Sequence, residues 1–282
     1  MLLKRLPRLI TQALVDTINH DGIEHAGYLS FLSMLALFPF LVFLVALAGF
    51  FGQSEAGAAF VTLMLNYMPN DVTAAISPRL QEIVSGPPPG LLTVSIIGAV
   101  WTASSAVEGI RTVLNRAYRV SNPPAYAWRR TLSILQFLLL TIMILIGMFL
   151  LVLAPVIWNR VEHWLPVDLH IDPIWTTVRY VVSAFLLLLV VESLYYVLPN
   201  IRQRWRTSLP GAALVVTLWM VTAVLMSIYL RDFQQVNFIY GSLAGIIAAL
   251  LFFYLMNLIF IFGAEFNYQL EKELGHRIEP KE

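Results

Sequence analysis

Cysteine is absent from the 282 residues, and with it go disulfides, thiolate metal sites, iron–sulfur clusters and a thiol nucleophile. Charge is scarce as well. Only 12% of residues are Asp, Glu, Lys or Arg while 59% are hydrophobic, a balance that a soluble domain of this length cannot bury. The formal net charge is +1, so nothing draws the whole chain to nucleic acid, and any basic character depends on where the charges stand. No Walker loop, Gly-x-Gly-x-x-Gly or Gly-x-Ser-x-Gly elbow occurs, which removes the usual signs of nucleotide cofactors and serine hydrolysis. The histidines, His20, His25, His163, His170 and His276, are scattered, and no His-x-His-x-Asp-His cluster exists to hold the ions of a hydrolytic nuclease. His20 and His25, five apart, are expected on different sides of one helix. Neither an enzyme, a metal site nor a cofactor is expected.

What the chain has is long uncharged runs. About 20 helical residues cross a hydrocarbon core of roughly 30 Å, and six runs qualify: 28–52, 90–110, 131–157, 174–198, 208–230 and 241–265. The expected fold is therefore all-α: a single polytopic membrane domain over 1–282 with six transmembrane helices and interfacial amphipathic helices. In the fourth run, 12 uncharged residues separate Arg179 from Glu192. Thirteen helical positions hold those charges about 20 Å apart, so each is expected to snorkel to its own face. Fourteen of the 18 Lys and Arg fall on one side of the six spans, and the rest are Arg79, Arg160, Arg179 and Arg231. The positive-inside rule then puts both termini in the cytoplasm.

Residues 1–25 carry a stripe, Leu6, Leu9, Ile10, Ala13, Leu14 and Ile18, that reads as an interfacial helix with its basic start toward anionic lipid. Residues 53–89 form the longest outer connector, where Val72, Ile76, Leu80 and Ile83 predict a helix after Pro69. Residues 266–282 are expected to be a cytoplasmic tail.

Four stretches carry a resemblance over nearly the whole chain: GYLSFLSMLALFPFLVFLVALAGFF (27–51), WTASSAVEGIRTVLNRAYRV (101–120), LPNIRQRWRTSLPGA (198–212) and YGSLAGIIAALLFFYL with GAEFN (240–267). They resemble the YihY/virulence factor BrkB family, six-span proteins of the bacterial inner membrane once labelled ribonuclease BN. The resemblance implies a multi-pass inner-membrane protein. The residues give the old nuclease label no support.

Glu108, Glu192 and Glu265 are expected at one level near the inner boundary. They form either a rim paired with arginines or, with Arg111, Asn115 and Asn257, a polar path. Glu108 has Arg111 three residues on, and Glu192 and Glu265 are expected to bond arginines of the inner loops. Glu265 is expected where the last helix ends, opposed by the helix dipole and held by Arg111, Arg116, Arg202, Arg204 or Arg206. Gly241, Gly245 and Ala249 repeat every fourth residue, as do Gly98, Thr102 and Ala106, a spacing that lets helices approach closely. Pro39 is expected to kink the first span, and Asn257 to bond another helix. Two functions remain open: a transporter or flippase of a lipid-like or envelope-related substrate, and a membrane scaffold or envelope-integrity factor. Membrane lipids are the expected partners under either, and nucleic acid is not.

Overall fold

A computed structural model describes residues 2–52, 89–120, 125–162, 172–231, 242–275 and 279–280. Uncharged runs of Leu, Ile, Val, Ala and Phe satisfy their backbone groups most completely as helix, since every amide bonds a carbonyl of the same segment. Among the described residues seven helices follow one another: α1 (Leu2–Asn19), α2 (Gly22–Gly52), α3 (Pro89–Ala117), α4 (Tyr126–Glu162), α5 (Asp172–Val197), α6 (Trp205–Arg231) and α7 (Ser242–Glu273). Among the described residues three stretches are long and apolar enough to cross a membrane, Tyr126–Gly147, Trp205–Tyr229 and Gly245–Glu273, and a shorter apolar helix runs over Val181–Val197. The expected helix of the 53–89 connector falls on residues 53–88, outside the described residues, and so does Gly241.

The chain divides into two compact units. The first comprises Met1–Met34, Ala106–Leu132 and Val181–Glu282. In it α7 packs along both α6 and α1. Leu9 and Ala13 of α1 close against Phe266 and Leu270 of α7. A second cluster joins Ala26 and Leu29 of α2 to Val113 of α3 and Ile261 of α7. The Tyr195 ring stacks on Phe260 with centroids 4.7 Å apart. The Trp219 indole donates to the Met256 carbonyl at 2.8 Å, fixing α6 to α7. The second unit comprises Leu35–Ser105 and Ser133–Tyr180, and there Phe40 meets Phe137 edge to face at 6.2 Å. Apolar side chains also line the outside, as with Val221, Val224, Leu225 and Ile228 on α6, the pattern of a helix whose solvent is lipid.

Several expectations need correcting. The N-terminal segment is one amphipathic helix only as far as Asn19, because Asp21 takes a left-handed backbone (φ 57°) and α2 starts at Gly22. His20 and His25 consequently lie on separate segments, the terminal turn of α1 and the first turns of α2. The α1 stripe is split: Leu9 and Ala13 are buried on α7, whereas Leu6, Leu14 and Ile18 stay exposed. The last helix does not stop at Glu265 but continues to Glu273 and ends on Gly275, whose φ of 71° is the usual helix-terminating conformation. The tail is thus shorter than expected. It also contributes β2 (Glu279–Pro280), which pairs antiparallel with β1 (Ile201–Arg202) after α5.

Close helix approach occurs at other glycines than those expected. Among the described residues a Cβ at Gly98 or Gly245 would meet nothing within 4 Å. At Gly211 it would strike the Asn267 side chain, and at Gly263 the side chains of Val215 and Tyr195. Pro39 lies inside α2, which continues through it.

Candidate functional site

Helix α3 ends in a two-bond turn. The Arg119 amide donates to the Arg116 carbonyl at 3.0 Å and the Val120 amide to the Asn115 carbonyl at 2.8 Å. This is the Schellman pattern, which wants a left-handed residue and ordinarily takes glycine. Here Arg119 adopts it, with φ 59°. The turn swings the guanidinium back over the helix end, where Nη1 donates to the carbonyls of Arg116 and Ala117, and onward to α7.

There Arg119 holds Glu265 with both arms, Nη1 to Oε1 at 3.0 Å and Nη2 to Oε2 at 2.8 Å. Such a bidentate pair is the strongest geometry the two groups offer. Glu265 is 1% exposed, so the pair rather than solvent carries its charge. Nη2 also reaches Asp16 Oδ2 on α1 at 3.3 Å and lies 2.9 Å from Nδ1 of His20, the residue after α1. Gln269 of α7 donates to the same Asp16 oxygen. Tyr268 presents its ring to the guanidinium at 4.6 Å. One arginine thus fastens three segments. Asp16, His20 and Glu265 bring ligand atoms within 4.8 Å of one another, a set able to hold a metal ion. Arg119 already supplies positive charge to all three, so an ion would have to displace it.

The arginine is not one of the five named from sequence. The dipole at a helix end is also not the reason for the pairing, because α7 runs on. Burial alone demands the cation. Outside the clasp, the Arg116 side chain pairs with Asp21 on the exposed surface.

Glu108 pairs with Arg111 at 3.4 Å and with Arg129, from the first turn of α4, at 3.5 Å. Burial lowers the Arg111 pKa and the nearby Arg129 lowers it further, while Glu108 opposes the change. Asn115 accepts the Asn200 amide at 2.8 Å, tying the end of α3 to the turn after α5. Asn257 mainly bonds its own helix, donating to the Phe253 carbonyl at 2.8 Å, with Ser33 on α2 at 3.4 Å. Glu192 makes no ion pair among the described residues, contrary to expectation, and accepts instead from the Ser208 hydroxyl. The six polar candidates therefore form separate groups within the first unit: Glu108 with Arg111, Asn115 at a turn, Asn257 between its own helix and Ser33 of α2 as expected, Glu192 with Ser208 and Glu265 in the clasp.

A further buried set escaped the sequence reading. Asn267 accepts the Gly211 amide at 2.8 Å and donates to the Ser208 carbonyl at 2.9 Å. Pro210 leaves α6 one amide short in this turn, and Gly211 allows the approach. Thr207 donates to Glu271 at 2.6 Å. Tyr118, 1% exposed, comes near Asn267 without closing a hydrogen bond, and burial pushes its phenol well above its ordinary value. Asn267 stands in the GAEFN stretch, two residues past Glu265, and that proximity was the signal available.

The profile of the virulence factor BrkB family matches residues 14–282. A ribonuclease-like protein, YfkH, of Bacillus subtilis is 29% identical over 206 residues, covering 73% of this chain and 75% of its own. A UPF0761 membrane protein of Tolumonas auensis is 30% identical over 155 residues, covering 53% of this chain and 50% of its own length. No solved structure matches.

Proposed function

Because this chain belongs to the virulence factor BrkB family of membrane proteins, we propose that it moves a lipid-like or envelope-related substrate across a bacterial inner membrane. What supports the reading is the clasp: a carboxylate 1% exposed, on an apolar helix long enough to cross the membrane, held by an arginine that also grips α1. Ionisable groups buried on such a helix are costly, and transport paths are where membrane proteins accept the cost. A lipid-like cargo suits the scarcity of charge in the middle of the apolar runs. Six spans with both termini cytoplasmic belong to the same reading. Helices α2 to α7 fall on the six apolar runs, and the basic residues crowd to one side of them. Hydrolysis of RNA is not proposed, since the clasp presents an arginine where a catalytic ion would sit.

A scaffold or envelope-integrity role is the second reading, favoured by the apolar seam of Leu9, Ala13, Phe266 and Leu270, which alone would hold α1 in place. Glu265→Gln separates the two. Gln keeps the shape and one acceptor oxygen, so the fold should survive. A transporter whose clasp opens in each cycle should lose movement of substrate in proteoliposomes, tested against fluorescent phospholipid analogues, inorganic ions and organic anions. A scaffold should lose only about 1 kcal/mol of stability, seen as a small fall in melting temperature. Wild-type liposomes that move none of these probes would sink the transport reading.

A further inference from the structure

Glu192 is the intramembrane carboxylate for which the fold supplies least. It lies on α5 in the apolar stretch Val181–Val197. One oxygen, Oε1, accepts from Ser208 of α6, whereas Oε2 is sealed from solvent and has no hydrogen-bond partner among the described residues. No Lys, Arg or His of the described residues pairs with it, in contrast to Glu108, which has Arg111 and Arg129, and Glu265, which has Arg119. An ionised carboxylate in that position would keep a full charge in apolar surroundings on the strength of one hydroxyl.

The groups around it make that worse. Tyr195 stands on α5 itself, one turn further on. Tyr118 comes from the turn after α3, fully buried, its hydroxyl bonded to nothing among the described residues and within electrostatic reach of Glu192. From α7, Glu265 and Glu271 reach the same tyrosine, and both are acidic. Among the described residues the titratable groups that act on Glu192 are the phenols of Tyr118 and Tyr195, and neither offers a compensating cation.

We propose that Glu192 is a proton-binding site, with a proton resident on Oε2 in the folded protein. The proton adds to Oε2 from hydronium and leaves water behind, with no redox partner and no other bond changed. A metal cation fits less well, because hard cations ask for about six oxygen ligands. Here Glu192 Oε2 and the Tyr118 hydroxyl are the uncommitted oxygens, Ser208 already donating to Oε1. The proposal holds whether or not the transport reading above does.

Infrared spectra of the full-length protein in lipid nanodiscs decide it. At neutral pH the wild type should show the carbonyl stretch of a protonated carboxyl, absent from Glu192→Gln and retained in Glu265→Gln. Strongly raised pH should remove it. Should Glu192→Gln fail to fold, Ser208→Ala serves instead. Loss of the hydroxyl that donates to Oε1 should shift the frequency of the same band. The proposal is overturned if the wild type lacks the band, if Glu192→Gln leaves it untouched, if Ser208→Ala does not move it, or if sodium at constant pH abolishes it.

Discussion

Arg119 stands where a helix end ordinarily takes glycine, and its left-handed backbone costs about 1 kcal/mol that a glycine would not incur. The side chain returns more than that by neutralising Glu265. Two substitutions separate the terms. Arg119→Ala should lose the pair and keep the backbone strain, at about 3 kcal/mol, the low end for a buried pair because the guanidinium is itself partly exposed. Arg119→Gly should lose the pair but shed the strain, and so melt above Arg119→Ala by the equivalent of about 1 kcal/mol. Equal melting temperatures would mean that the turn carries no strain. His25 offers a pH handle at the same scale. Burial, then the nearby Arg116, holds its pKa below the ordinary 6.5, so between the two values the unfolded chain binds more protons. Its contribution is present above pH 6.5 and lost as pH falls through the folded value. Melting temperature should therefore drop on acidification below pH 6.5, and drop less in His25→Gln.

Among elements, α7 does most of the joining, and it shows what could and could not be read beforehand. Its uncharged run announced a helix, and a carboxylate at the end of that run announced a need for arginine. Which arginine answered was hidden, because Arg119 reaches Glu265 only through a backbone turn whose residue does not advertise it. The end of α7 was misplaced because charge after Glu265 suggested water, whereas Phe266, Asn267, Gln269 and Leu270 are buried by α1 and α6. The small-residue rows misled for a related reason: spacing marks a face that permits close approach, and only packing decides whether a partner comes. Alanine tests the difference. Gly263→Ala should cost about 1–3 kcal/mol, since the new methyl meets Val215 and Tyr195 in a closed seam. Gly245→Ala, with open space around it, should be neutral or stabilise by up to about 1 kcal/mol through helix propensity. Thermal unfolding of both variants in one detergent gives the comparison, and the reverse order would put the close contact back at Gly245.

For the whole molecule, the absence of cysteine makes topology easy to read. Single cysteines placed at Ser54 and Ser121 give labelling sites with no native background. With six spans and cytoplasmic termini, a membrane-impermeant maleimide should reach the first from outside intact cells and the second only after the membrane is opened. Labelling of both from one side would remove a span from the scheme. The helices themselves were legible as long apolar stretches of sequence. The fastening between them was not, because its members are far apart in the chain.

That distance sets an order of events during synthesis. Asp16 and Gln269 bond across 253 positions, so one is made almost first and the other almost last. While the ribosome works through α4 to α6, Arg119 has Asp16 and His20 within reach but not the carboxylate that completes it. The clasp can close only when translation is nearly over. A polypeptide cut short before Glu265 would keep helices α1 to α6 and leave Arg119 with Asp16 as its one acidic partner among the described residues.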